Sequence, residues 1–421
     1  MHMKKAGNKS YLIAAAMVVS YFVPPHLSAQ TFSVSASFEN GSAHVLTLDA
    51  ATQTVCITPA GDAVRGWPNW WYLRLDNVDT GKAVTLEVVA GKTIVPADDA
   101  GGSKELAAGW TLPAQASVSP DGHIWTHTET GERKENSMVY RVRASSHTIW
   151  LAWGPPFTLS DAAAFGKKIT GAYPFAESFV LCTSREGRTV PALKISEGSK
   201  PAASRPVVWI DARQHAWEVG GTWVGVGLIE WLVGKSTPAK WLRQNAEIFF
   251  IPVMDADHVA TGDGGKNALP QDHNLDWTPT PHWPEVAASQ QYILSLAKQG
   301  RMSVFLDLHN PAPGNRQQTA YVIDKAYMQK EAEPRKLRFV ELLISEFGDL
   351  KQNVAKPPDS NPALFHQVSV PWVLEHANPQ TIAFCIETPW NIPSGTAEGY
   401  RAVGQKLGLA VEKLLRETPG Y

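Results

Sequence analysis

Val207-Val208-Trp209-Ile210-Asp211-Ala212-Arg213-Gln214-His215-Ala216-Trp217-Glu218 opens as an apolar run and closes on a histidine and a glutamate three positions apart. The run reads as a strand. The residues after it, Val219–Val233, read as a helix. A bend between the two lets an imidazole and a carboxylate turn toward one ion. Both side-chain types ligate zinc, and a catalytic zinc takes three protein ligands and keeps one position open. His-x-x-Glu alone also fits a solvated loop pair, so its meaning depends on what lies downstream.

The pattern downstream repeats the theme. Ser303–Leu308 is an apolar strand that runs into His309, and Thr381–Ile386 is another that runs into Glu387. Further strands are expected at Phe179–Cys182 and Glu247–Met254, and helices at Glu285–Gln299, Pro334–Phe347 and Ala397–Arg416. Alternating helices and strands imply an α/β domain with a central mixed sheet flanked by helices. Ligands in such folds gather beyond the carboxyl ends of the strands. His215, Asp255, His309 and Glu387 all stand there. His215, Glu218 and His309 make one of the catalytic zinc sets, for one ion. Glu387 is then the candidate for moving a proton from water to a leaving amine. Lys266 and the Asp272-His273-Asn274 segment lie in a loop within reach of a developing oxyanion.

Before Trp153 the character differs. Thr31–Phe38, Ala43–Leu48, Trp70–Leu75, Ala83–Val89, Met138–Val142 and Thr148–Trp153 read as short strands, separated by turns such as Asn40-Gly41 and Pro120-Asp121-Gly122. An all-β sandwich over residues 30–153 is expected, ahead of a catalytic domain over 154–421. Residues 1–29 read as a signal peptide: Lys4, Lys5 and Lys9, an apolar core at Tyr11–Val23, and Leu27-Ser28-Ala29 as the cleavage site. An exported chain, periplasmic or secreted, with no stable membrane association after cleavage is the expectation.

Composition removes several classes. The 421 residues carry a formal net charge of -2 without a basic cluster beyond the N-terminus, which argues against a nucleic-acid partner. Three cysteines do not make a disulfide framework. Cys182 and Cys385 fall in buried strands as small fillers. Most of the 16 tryptophans read as core. His258, His273 and His282 are alternative ligands that read as loop histidines. Asp307 has two readings, a carboxylate behind a ligand or a strand-end salt bridge. Lys266 reads equally as a surface lysine, and Asp272 also as a turn cap.

Ala212-Arg213-Gln214-His215-x-x-Glu218 resembles the signature of the zinc carboxypeptidase (funnelin) family, and in particular its cytosolic-carboxypeptidase-like branch, which carries a β-sandwich ahead of the catalytic domain. Met254-Asp255-Ala256-Asp257-His258-Val259 resembles the family's Asn-Pro-Asp-Gly-Val turn. Asp272-His273-Asn274-Leu275-Asp276-Trp277 resembles its Asp-Leu-Asn-Arg segment. Gly154-Pro155-Pro156-Phe157-Thr158 is similar to the Pro-Tyr-Thr stretch that opens the branch's catalytic domain. The resemblance implies zinc on His215, Glu218 and His309, with Glu387 as general base. It implies Asp272 behind a ligand histidine, Asn274 on the substrate's terminal carboxylate, and Lys266 roughly where an arginine steadies the oxyanion. Leu275 departs from the pattern, because it stands where an arginine clamps a free C-terminal carboxylate. The function expected is zinc-dependent hydrolysis of a peptide bond. The alternatives are an amide hydrolase acting on wall peptides or acylated amino acids without that clamp, and a non-catalytic module that binds a peptide or polymer.

Overall fold

All six residues of Val207–Ala212 are buried, as befits a strand covered on both faces. The computed structural model describes residues 1–3, 31–96, 102–198, 201 and 204–417; the signal-peptide reading falls largely outside them. Numbering elements from Leu159, the strands are β1 (Ala176–Thr183), β2 (Thr189–Ile195), β3 (Val207–Ala212), β4 (Glu247–Ile251), β5 (Met302–His309), β6 (Gln318–Ile323), β7 (Leu350–Ala355) and β8 (Ile382–Glu387). The helices are α1 (Leu159–Ala172), α2 (Val219–Leu232), α3 (Thr237–Asn245), α4 (Ala256–Thr261), α5 (Pro284–Lys298), α6 (Glu333–Phe347), α7 (Ser369–His376) and α8 (Ala397–Glu417).

The strands form one eight-stranded sheet in the order β1-β2-β4-β3-β5-β8-β6-β7. Its centre is parallel: β4 beside β3, β3 beside β5, and β5 beside β8. The flanking pairs β1–β2, β2–β4 and β8–β6 are antiparallel. The parallel register sets His309 beside Glu387 and Ala212 beside Leu308. Three strands therefore deliver their site residues to one edge. Expected β4 was longer, but it stops at Ile251, before Pro252, which has no N–H for the ladder. Among the elements not expected from the sequence, such as β2, β6, α3 and α7, two have plain causes. β7 is a polar, largely exposed edge strand without apolar alternation. α1 is announced only by the capping box of Thr158 and Asp161.

The preceding β-rich part holds two five-stranded sheets. Alternation sets their inward faces: Val84, Leu86 and Val88 are buried from Ala83–Val89, and Val55 and Ile57 from Thr54–Thr58. Leu73, Leu75, Ile149 and Leu151 of the other sheet join the same apolar core. The core is continuous with that of the α/β part. Polar contacts lock the two parts together. Gly265 N donates to Arg65 O at 3.0 Å, Trp67 N to Lys266 O at 3.0 Å and Leu269 N to Val64 O at 2.8 Å. Arg65 Nε also meets Asp263 at 2.5 Å. The loop that carries Lys266 is thus backed by the β-rich part.

At the sheet end opposite the site, β4 begins with a buried anion. Glu247 is 2% exposed and meets Arg301 Nη2 at 2.5 Å, Arg205 Nη2 at 3.1 Å and Lys194 Nζ at 3.6 Å. Burial pushes its carboxyl up, but these cations outweigh it and hold the pKa below the ordinary value. Its contribution to stability is complete above the ordinary glutamate pKa and is lost as pH falls through the lower folded value. Glu247→Gln leaves two buried guanidinium groups without their anion. It is expected to cost about 3–5 kcal/mol in urea denaturation at neutral pH. A loss under about 1 kcal/mol would contradict the network's importance.

Candidate active site

The bend after β3 is built by Arg213. Its backbone is left-handed, with φ 63°. Its side chain, fully buried, donates from Nε to Ala216 O at 2.7 Å and from Nη1 to Phe157 O at 3.2 Å, and Nη2 also reaches Ala216 O. This clamp closes residues 213–218 into one turn. Glu218 stands at the N-terminus of α2, and its N–H donates to His215 O at 3.1 Å. α2 presses against β5 so closely that a Cβ on Gly221 would lie 2.3 Å from Leu308 O. Only glycine allows that approach, and through it Glu218 reaches His309.

The three side chains converge. His215 Nδ1 lies 2.8 Å from Glu218 Oε1, and His309 Nδ1 lies 2.6 Å from Glu218 Oε2. Candidate ligand atoms of all three lie within 4.8 Å of one another. Behind each ring stands a second carboxylate. His215 Nε2 is 3.2 Å from Asp272 Oδ1. His309 Nε2 is 2.9 Å from Asp307 Oδ1, a close ionic contact whose angle is poor for a hydrogen bond. Asp307 in turn accepts from Gln214 Nε2 and Ser369 Oγ, both at 2.6 Å. Of the two readings of Asp307, the carboxylate behind the histidine is the one its position matches. Asp272 satisfies both of its readings at once: it also accepts from Asn267 N at 2.6 Å and Asn274 N at 2.8 Å, capping the turn.

Electrostatics follow from this packing. Burial opposes charge on Glu218, but His215 and His309 outweigh it and hold the carboxyl well below its usual range. Burial opposes charge on the two rings as well, yet Asp272 and Glu218 raise His215, and Asp307 and Glu218 raise His309. Glu387 goes the other way. Burial first, then the negative Glu218, push it up to about 7; His309, Lys266 and His215 pull in the opposite direction.

A cavity of about 440 Å³ opens over these residues and is lined by His215, Glu218, His309, Lys266, Asn274 and Glu387 together. Of the seven candidate site residues read from the sequence, these six border it; Asp272 stands behind His215. Asn274 Oδ1 accepts from Ser369 N and Gln214 Nε2, both at 3.4 Å. The remaining wall is mostly apolar and includes Trp110, Trp217, Ile323, Phe365 and Val370. Trp67 and Trp110 come from the β-rich part, and Trp110 meets Trp217 edge-on at 5.6 Å. These tryptophans face the cavity as well as the core. Cys385 also lines it, so it is more than a buried filler.

Sequence reasoning missed Asn310. Its N–H donates to Glu218 Oε2 at 3.1 Å, its Oδ1 accepts from Gly220 N at 2.8 Å, and its Nδ2 donates to Thr388 O at 2.6 Å. It ties the ends of α2, β5 and β8. Its place directly after His309 was the one signal available.

The model of the cytosolic carboxypeptidase N-terminal domain matches residues 34–153, and the zinc carboxypeptidase model matches residues 163–269. An uncharacterized protein of Zymomonas mobilis is 26% identical over 248 residues, covering 59% of this chain and 60% of that protein. Human cytosolic carboxypeptidase 4 is 27% identical over 180 residues, 39% of this chain and 16% of that protein. The chain therefore spans less than two thirds of the length of either relative. The crystal structure of a metallo-carboxypeptidase from Burkholderia cenocepacia shares the fold, with a TM-score of 0.75 at 18% identity over 92% of this chain and 99% of that one. The two matched domains, in this order and on this fold, make the chain a member of the zinc carboxypeptidase family that carries the cytosolic carboxypeptidase N-terminal domain.

Proposed function

We propose that this chain hydrolyses amide bonds in peptides, with one zinc ion held by His215, Glu218 and His309 and with Glu387 as the acid–base group. One observation carries the reading: both imidazoles turn Nδ1 to the same carboxylate, each has a carboxylate behind Nε2, and Glu387 borders the same cavity. Metal-ligating histidines take this backing, which fixes ring orientation and raises basicity. The donor set suits zinc, which supplies activated water near neutral pH and polarises a carbonyl.

The chain's own residues supply the rest. Glu387 takes a proton at its carboxylate and returns it to the leaving nitrogen. Burial and the negative Glu218 raise its pKa in the metal-free site, and a dication on Glu218 would lower it again toward the carboxylate form that accepts a proton. Lys266 lines the same cavity and is close enough to act on Glu387 and His215. Its charge offsets the negative charge that grows on the carbonyl oxygen. Asp272 and Asp307 orient the rings. Asn274, fixed by Ser369 and Gln214, is the polar group that positions the substrate.

A narrower substrate reading follows from the wall. Leu275 is not among the residues that line the cavity, and no arginine is among them. Arg301 is engaged with Glu247 at the far end of the sheet. Arg316 borders an adjoining cleft that shares Glu387 and Tyr321 with the cavity. The apolar wall favours an uncharged group where the clamp is missing, as in wall peptides or acylated amino acids. The adjoining cleft carries Arg316 and Lys351 for the other side of the scissile bond. Export remains our proposal from the sequence of residues 1–29, as does the division into domains at residues 153 and 154.

Glu387→Gln is expected to keep its zinc and lose about 10²–10⁴-fold in the hydrolysis of a peptide panel. Zinc content with full turnover in that variant would contradict the mechanism, and turnover in neither protein would favour the binding-module alternative. On matched peptides, amidation of the C-terminus is expected to change kcat/KM by less than about tenfold. A drop beyond about 100-fold would show that a free carboxylate is required and that the clamp is made some other way.

A further inference from the structure

A second cluster with the ligand types of the first lies outside the cavity. Asp255 follows β4, His258 lies on α4, and His273 lies in the loop that carries Asp272 and Asn274. All three are buried, at 0%, 2% and 1% exposure. His258 Nδ1 lies 2.8 Å from Asp255 Oδ1 and 2.9 Å from Oδ2, and His273 Nδ1 lies 3.7 Å from Oδ2. Candidate ligand atoms of the three lie within 4.8 Å of one another, as in the first set. The sequence places His258 and His273 in loops; the structure instead puts His258 on α4 and buries both beside one carboxylate.

Hydrogen bonding accounts for His258 but not for His273. Neither nitrogen of the His273 ring has a hydrogen-bond partner among the described residues. The ring is stacked on Trp283, 4.3 Å away and 11° from parallel, which fixes its plane. A neutral imidazole has one lone pair and one N–H, and leaving both unmatched in the interior is costly. Glu285 shows the complementary fault. Its Oε2 is buried without a partner and lies 4.0 Å from His273 Nε2. The fault at Nδ1 is repaired if its lone pair meets a cation beside Asp255. Nε2–H then points toward Glu285, which a shift of about 1 Å would bring to hydrogen-bond distance, giving the carboxylate–histidine–metal arrangement.

We propose that Asp255, His258 and His273 form a second metal site, one that takes zinc or a similar divalent transition ion. Two imidazoles and a carboxylate suit such ions better than calcium or magnesium, which prefer oxygen ligands. The site is sealed from solvent, so its role is structural. It ties the end of β4 to the loop after α4. A Cβ on Gly265 would lie 2.1 Å from Asp255 Oδ2, so the backbone next to Lys266 presses directly on the site. His273 adjoins Asp272, which touches His215. An ion there braces the loop that carries Lys266, Asp272 and Asn274, without itself meeting substrate.

The test uses the full chain with the first set removed, so that the outcome is independent of the proposed reaction. H215A/H309A is stripped with a chelator, reloaded with zinc and desalted against a weak chelator that clears surface sites. It is expected to retain about one zinc per chain and to melt at a higher temperature with zinc than without. H215A/H309A/H273Q is expected to retain less than about 0.1. X-ray absorption of the zinc in H215A/H309A supplies a check that needs no third substitution, and two imidazoles should appear in its coordination shell. No retained zinc in H215A/H309A, equal retention after H273Q, or a shell without two imidazoles would overturn the site.

Discussion

Glu218 is a carboxylate at 3% exposure, and an anion so deeply buried has to be matched by groups of opposite character. His215 and His309 face its two oxygens, and Asn310 N–H adds a third contact. The arrangement brings together β3, α2 and β5. Burial opposes charge on each ring, and Asp272 and Asp307 join Glu218 in raising it toward the charged form. The demand then passes outward to Gln214, Ser369, Asn267 and Asn274. Much of the cavity's polar architecture is a consequence of burying one glutamate between two histidines. A divalent ion at the same point would satisfy all three groups at once, which is the basis for proposing a metal centre there.

The β-rich part shapes the same cavity. Trp67 and Trp110 give it an apolar wall, and the backbone of residues 64–67 pairs with the segment that carries Lys266. Arg65 binds Asp263 and Glu186, on the α/β side of that contact. Removing this part would strip the cavity of a wall and release the loop that positions Lys266 and Asp272. The N-terminal sheets and the cavity belong to one structural unit, and Trp67, Trp110, Trp153, Trp217 and Trp390 are part of the reason. Trp153, Trp217 and Trp390 pack against one another, edge-on or tilted, where the two parts meet.

His215, Glu218, His309 and Glu387 were legible because each follows an apolar run at a strand end, and strand ends in a parallel sheet share one edge. The α/β class was legible from the same runs. Leu275 was legible as a departure only through a resemblance, and the arginine-free wall gives that departure its meaning. What stayed hidden depends on closure between segments far apart in the chain. Asp307 could not be assigned until Gln214 and Ser369 came to it. The meeting of Asp255 and His258 with His273 was not legible, because it is made by the turn after β4 and a loop that returns to it. β7 was missed because an exposed edge strand has no buried face to impose alternation. α1 was missed because small residues and two glycines dilute its apolar stripe.

The central claim is that two imidazoles and one carboxylate hold an ion through the atoms that now face one another. Anomalous diffraction at the zinc edge, from crystals of the zinc-loaded chain, tests it most directly. The account predicts a peak bound by Nδ1 of His215, Nδ1 of His309 and the Glu218 carboxylate, with Nε2 of each ring still turned to Asp272 and Asp307. Rings that turn Nε2 to the ion, or an absence of zinc between these three residues, would contradict it.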